Sequence, residues 1–261
     1  MEYIKVTKEN LEEEFYNEYE RFYEMAEKSS TFKSFCKDAF GADFSQDGFS
    51  DIKQIDRIIG YIPTGKEAHI LDVGCGNGKM LKYLQKRTNA YIHGFDYSAN
   101  AINTAQKLFL TNADFKQGII GEIDYLPEQF DIITLMDTIY FAPDMGKFLL
   151  QALRWLKKDG VLFICYQEGD VMPKTESSKT TVLAQALQKN EIPYDVEDIT
   201  KETYDLLKKK RETALAYQRC FEEEGSKEWF DLLMMQTECV AKPFDVFAEE
   251  MARYIYIVRK S

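Results

Sequence analysis

The stretch Ile70-Leu-Asp-Val-Gly-Cys-Gly-Asn-Gly78 decides the fold. Its apolar start (Ile70, Leu71, Val73) suits a buried parallel strand, and it runs directly into a glycine turn. Gly74, Gly76 and Gly78 let backbone approach a ligand closely. Met80, Leu81 and Leu84 then follow a helical spacing, so backbone N–H groups at a helix start face that ligand. Eighteen residues after Gly78, the run Tyr91-Ile-His-Gly-Phe-Asp96 reads as a second strand ending in a carboxylate. An acid there accepts hydrogen bonds from the hydroxyls of an adenosine ribose. Strand, glycine turn and acid together describe a nucleoside site.

The spacing narrows the nucleoside. A dinucleotide turn reads Gly-x-Gly-x-x-Gly and opens onto a pyrophosphate; this chain reads Gly-x-Gly-x-Gly, with Asp72 just before it. A carboxylate repels a pyrophosphate but suits an α-amino or sulfonium cation. S-adenosylmethionine (SAM), with S-adenosylhomocysteine (SAH) as product, is therefore the expected cofactor. The plainer alternative is a tight strand-to-helix turn that holds nothing.

Outward from this motif, strands are expected near 69–73, 91–95, 113–117, 131–135, 161–166, 193–198 and 253–259. Helices are expected between them at about 78–87, 98–110, 145–157 and 179–190. Such alternation calls for an α/β fold: a seven-stranded, mostly parallel, doubly wound sheet. The run Ala252-Arg-Tyr-Ile-Tyr-Ile-Val-Arg259 follows a long helical excursion, which leaves the last strand free to be antiparallel. The domain reading is an N-terminal helical cap over 1–48, a core over 49–200, a helical lid inserted over 201–243 and a final core strand within 244–261. In the cap, Leu11, Phe15, Tyr19, Phe22 and Ala26 give a helix over 8–28; a second covers about 31–40, and a short one 50–60 precedes the core. In the lid, a helical pair divides at Gly225.

Composition sets outer bounds. The 261 residues are 45% hydrophobic and 30% charged, ordinary for a globular chain. A net charge of −11 argues against nucleic acid or an anionic membrane as partner, because phosphate binding needs Lys and Arg. The one dense basic cluster, Lys208-Lys-Lys-Arg211, reads as a solvated helix face. No apolar run nears the roughly 20 residues that span a bilayer, and no signal-peptide core opens the chain. The five cysteines are scattered without a Cys-x-x-Cys pair and read as free thiols in a reducing cytoplasm. His69 and His93 are the only histidines and are expected to be structural, so neither a metal site nor a Ser-His-Asp triad is expected.

The chain resembles the class I SAM-dependent methyltransferases over roughly residues 50–200 and the final strand. Asp72-Val-Gly-Cys-Gly-Asn-Gly78 looks like that family's first motif and Gly94-Phe-Asp96-Tyr97-Ser98 like its second. Phe130-Asp-Ile-Ile-Thr-Leu-Met-Asp137 is similar to the fourth-strand motif, and Leu156-Lys-Lys-Asp-Gly-Val-Leu-Phe163 to the approach to the fifth. Ser45-Gln-Asp-Gly48 and Asp137-Thr-Ile-Tyr140 resemble a bacterial subgroup that modifies small molecules. The resemblance implies cofactor contacts from Asp72, Gly74, Cys75, Gly76, Gly78, Asp96, Tyr97, Gly118, Ile119, Met136 and the loop residue Gln46. Tyr97 is expected to pack on adenine. The chain departs from the family at Lys116-Gln-Gly-Ile-Ile120, where Ile119 stands in place of an acid near the adenine amino group. Cys75 reads as a small residue tolerated by the ligand rather than a nucleophile.

Methyl transfer from a sulfonium needs a positioned nucleophile more than a fixed catalytic signature. Asp137 and Tyr140, just beyond the fourth strand, are the expected catalytic pair, one steering or deprotonating an amine and the other holding it. The plainer reading is that Asp137 caps a turn and Tyr140 packs. Phe15, Tyr19 and Phe22 are read as core rather than substrate cage. The expected activity is methylation of a small organic acceptor, first of all at an amine nitrogen, by a monomer or homodimer. O- or C-methylation of an aromatic metabolite, a SAM-binding module without turnover and a nucleotide-dependent oxidoreductase are the alternatives.

Overall fold

The computed structural model describes residues 16–45 and 48–261. Two helices open it, α1 (Tyr16–Lys28) and α2 (Ser30–Phe40), with Ser29 between them accepting the Phe32 N–H as the cap of α2. Residues 8–15 of the expected first helix, and Gln46, lie outside the described residues. Gly41, at φ 85°, ends α2 in the left-handed region where a side chain is strained. Helix α3 (Ile52–Ile59), capped by Asp51, leads into the sheet.

Strand and helix then alternate: β1 (His69–Val73), α4 (Lys79–Thr88), β2 (Tyr91–Asp96), α5 (Ala99–Leu108), β3 (Ala113–Gln117), β4 (Phe130–Met136), α6 (Met145–Trp155), β5 (Leu156–Glu168), α7 (Val182–Lys189) and β6 (Asp195–Asp198). Helices α8 (Thr200–Glu223), α9 (Lys227–Gln236) and α10 (Phe244–Glu250) precede β7 (Ala252–Arg259). The strand order is β3-β2-β1-β4-β5-β7-β6. The first five strands pair in parallel, and β7 runs antiparallel to both β5 and β6.

Alternate residues feed the two faces of the sheet, as the pleat requires. Ile70, Ile92, Ile132, Phe163, Ile255 and Ile257 pack under α1–α5, α8 and α9. Leu71, Phe95, Ile133, Leu162, Tyr166 and Tyr256 pack against α6 and α7. This two-sided burial explains why the central strands read as continuous apolar runs.

Three boundaries differ from the sequence reading, each for a local reason. Strand β5 begins at Leu156 rather than near 161, because Leu156 pairs with Phe130 before a register shift brings Val161 opposite Ile132. Asp159, at φ 63°, makes that shift. Helix α7 starts at Val182, where the Thr181 hydroxyl accepts the Ala184 N–H. Residues 244–250, assigned by sequence to the last strand's segment, form α10, whose Phe247 packs on Tyr204 with ring centroids 5.2 Å apart. No helix among the described residues is long and apolar enough to cross a membrane. His69 and His93 meet through ring nitrogens 3.1 Å apart on β1 and β2, where burial and then His69 push His93 down to about 4.

Candidate functional site

A cavity of about 1610 Å³ opens where β1, β2, β4 and β5 end, the position at which open α/β sheets bind ligands. Its floor is the glycine turn. Gly74 N–H and Cys75 N–H both donate to the Phe95 carbonyl, at 2.9 and 3.0 Å, so the turn is fixed to the end of β2. Gly74 lies at φ 75° and Gly76 at φ 52°. A Cβ on Gly74 would sit 2.6 Å from the Thr138 methyl, and one on Gly76 would collide with the Tyr23 hydroxyl. The space a side chain would need at these two positions is taken by Thr138 and Tyr23, so only glycine fits the turn. Gly78 is absent from the cavity wall; a Cβ built on it would sit 3.0 Å from the Ala105 methyl, so its lack of a side chain lets α4 pack close to α5.

Two buried carboxylates face the turn. Asp96 accepts the Gly76 N–H through one oxygen and the Ser98 N–H through the other, both at 2.9 Å. Burial pushes its carboxyl up to about 6 against the pull of those bonds. Asp72 accepts the Thr134 hydroxyl at 2.6 Å, and burial, with a further push from Asp96, carries it up to about 8. Both acids line the cavity. Cys75 lies on the wall too, where burial and the neighbouring Asp96 and Asp72 push its thiol well up and keep it protonated. Gly94 exists to make room for it, since a Cβ there would be 2.7 Å from the Cys75 sulfur.

Tyr97, Gly118, Ile119 and Met136 complete the expected set on the wall. Tyr97 stands among tyrosines of α1, with centroids 5.8 Å from Tyr16 and 5.7 Å from Tyr19. Gly118 donates its N–H to the Asp96 carbonyl at 2.9 Å, and a side chain there would collide with Ile123. Tyr19 and Phe22, read from sequence as core, also line the cavity, as do Tyr16 and Tyr23. Helix α1 is therefore a wall of the site. Its spacing was legible, but the surface it faced was not.

Asp137 and Tyr140 are brought together at the end of β4, the tyrosine hydroxyl donating to the carboxylate at 3.3 Å. Asp137 sits at φ 60°, which turns the chain sharply out of the strand. The sequence reading missed its principal partner. Arg253 of β7 is fully buried, and its Nε and Nη2 hold the two Asp137 oxygens at 3.1 and 2.6 Å. The same guanidinium donates to Ser50 Oγ at 2.8 Å, to Gln54 Oε1 at 2.9 Å and to the Phe49 carbonyl. An Arg near the start of the strand, followed by five aromatic or aliphatic residues, was the available signal. Burial and the Asp137 charge push the Tyr140 phenol well up, so it stays protonated. Asn77 was also missed: its amide donates to the Phe44 and Ser45 carbonyls, at 3.1 and 2.7 Å, and ties the preceding loop to the glycine turn.

This geometry suits a nucleoside cofactor at the glycine turn, and comparison with known proteins gives the class of the chain. A family model described as a methyltransferase domain matches residues 64–225. The ubiquinone biosynthesis O-methyltransferase of Neisseria meningitidis is 29% identical over 99 residues, covering 36% of this chain and 42% of that protein. The phosphoethanolamine N-methyltransferase of Plasmodium falciparum is 26% identical over 129 residues, covering 48% of each. The chain thus spans less than half the length of these curated relatives. Among solved structures, phosphoethanolamine N-methyltransferase 2 of Haemonchus contortus superposes with a TM-score of 0.72 at 19% identity, covering 93% of this chain and 60% of that one. The cyclopropane synthase MmaA2 of Mycobacterium tuberculosis superposes with a TM-score of 0.70 at 16% identity, covering 93% and 98%. The chain belongs to the class I SAM-dependent methyltransferases.

Proposed function

We propose that this chain transfers a methyl group from SAM to a nitrogen of a small, amine-bearing acceptor. The observation that carries the choice of acceptor is the charge of the cavity wall. Glu18, Glu122, Asp170, Glu228 and Glu238 line it, besides Asp72 and Asp96 on the cofactor side and Asp137, whose charge Arg253 offsets. Arg21 is the only Lys or Arg among the described residues that do so, and it pairs with Glu228 at 2.9 Å. Such a wall favours a cation and opposes a phosphate or carboxylate. The phosphorylated acceptors named for the N-methyltransferase relatives are therefore a poor match here.

The residues present fit the cofactor. Gly74 and Gly76 present bare backbone on the cavity wall, Asp96 has carboxylate lone pairs for ribose hydroxyls, and Asp72 suits the cationic methionyl end. Tyr97, Gly118, Ile119 and Met136 supply the nucleobase and thioether surroundings. When bound, SAM supplies an activated methyl electrophile. What this chain adds is orientation, which contributes several kcal/mol, up to about 10 in favourable cases. Tyr140, protonated, holds the acceptor by its ring and hydroxyl. Asp137, its charge shared with Arg253, steers the amine rather than stripping it of a proton, so the amine arrives neutral or sheds its proton to water. Helices α1 and α2, with α8 and α9, form the cap and lid of this reading.

A thermal-shift titration with SAH, with NAD alongside, tests the cofactor: the midpoint rises with SAH alone, as linkage requires. Labelled SAM offered with matched amines and phenols tests the acceptor, and transfer is expected to amines. Methylation of phenols or carboxylates only would move the activity to O-methylation.

A further inference from the structure

Gln167 lies near the end of β5, away from the glycine turn, and is 4% exposed on the cavity wall. Its side-chain carbonyl oxygen is buried and accepts no hydrogen bond. A buried acceptor left unpaired costs about 1–3 kcal/mol, so such a group needs a reason to persist. No described residue donates to it. Its cross-strand partner Arg253 directs its guanidinium to Asp137, Ser50, Gln54 and Phe49. Beyond it the wall continues through Gly169, Asp170, Val171, Glu238 and Met251, which offer carboxylates and apolar surface.

The sheet order says which part of a ligand reaches this point. The nucleoside elements sit at the ends of β1 and β2, Asp137 at the end of β4, and Gln167 one strand further, on β5. Neighbouring strands lie about 4.8 Å apart, so Gln167 is some three strand spacings, roughly 14 Å, from the strand that carries Asp96. It is past the methyl-receiving position as seen from the cofactor half.

We infer that the β5 end of the cavity is a second recognition point for the methyl acceptor, where Gln167 accepts a hydrogen bond from a donor group separate from the nitrogen that is methylated. The acidic wall beside it selects a cationic donor. The acceptor is then a two-ended molecule of diamine type, with an apolar middle. This inference rests on the methyltransferase reading above and sharpens its substrate class.

The probes are 1,6-diaminohexane and, as its one-ended control, hexylamine, each titrated calorimetrically into the SAH-saturated chain. The native chain is expected to bind the diamine at least tenfold tighter than the monoamine. Gln167→Leu is expected to lose that preference, while Gln167→Glu, which keeps an acceptor, retains it. SAH affinity should be unchanged in both variants, and Gln167→Leu should melt no lower than native because it removes an unpaired group. Equal binding of the two probes by the native chain, an undiminished preference in Gln167→Leu, or a lowered midpoint in that variant would overturn the inference alone. Failure of the native chain to bind SAH would instead bring down the underlying methyltransferase reading, and this inference with it.

Discussion

At the scale of single residues, the cofactor half of the site turns on two acids held in the wrong state for water. Asp72 is pushed up to about 8 and Asp96 to about 6, chiefly by burial. An unfolded Asp titrates near ~3.9, so both bind protons more tightly when folded. Their contribution to the stability of the ligand-free chain is therefore full below about pH 4 and is lost as pH rises through about 6 and then about 8. A cation set against them favours the carboxylates, so SAM binding near pH 7 should release protons, mostly from Asp72. The number released is the slope of calorimetric binding enthalpy against buffer ionisation enthalpy. We expect a clear release at pH 7 that fades by pH 9.5, and a zero slope at pH 7 would mean that no cation reaches Asp72. Both acids were legible in the sequence because strand ends beside a glycine turn have few places to point. Their raised affinity for protons was not, since it comes from burial by β4 and the turn together. The neighbours of Gly78 were hidden for a related reason: sequence shows that a side chain is missing, not which neighbour fills the space.

At the scale of elements, Arg253 does what no local pattern announces. It joins β7 to the end of β4 through Asp137, to α3 through Gln54 and to the segment before α3 through Ser50 and Phe49. Asp137 lies 116 residues away in the chain, which is why the alternation of strands was readable and this tie was not. The same limit hid α10, whose helix is held by Tyr204 of α8 rather than by its own length. Removing one member of a buried ion pair leaves the other charge unpaired, at a cost of about 3–5 kcal/mol. Arg253→Met should lower the free energy of urea unfolding by about that amount, and Arg253→Met with Asp137→Asn should recover part of it. Asp137→Asn alone should leave SAH affinity near native while lowering both stability and turnover. An Arg253→Met chain as stable as native would show that the pair contributes nothing to holding the acceptor wall.

At the scale of the whole molecule, the acidic cavity sits in an acidic protein, with a net charge of −11. The field of the chain and that of the wall then act in the same direction on an approaching acceptor. A cation is drawn towards the opening before it touches any residue, and this long-range part of recognition is screened by salt. The screening length shrinks from about 30 Å at 0.01 M to about 3 Å at 1 M, shorter than most approaches to the wall. For an amine that the chain methylates, kcat/KM should therefore fall severalfold between low and high salt, with most of the change in KM. SAH carries no net charge, so its affinity should change little over the same range. The two titrations together separate steering from general salt damage to the fold, which would weaken both. If the amine's kcat/KM is flat while its turnover persists, the acidic wall plays no part in choosing the acceptor, and any preference for nitrogen must be sought in the geometry of Tyr140 and Asp137 alone.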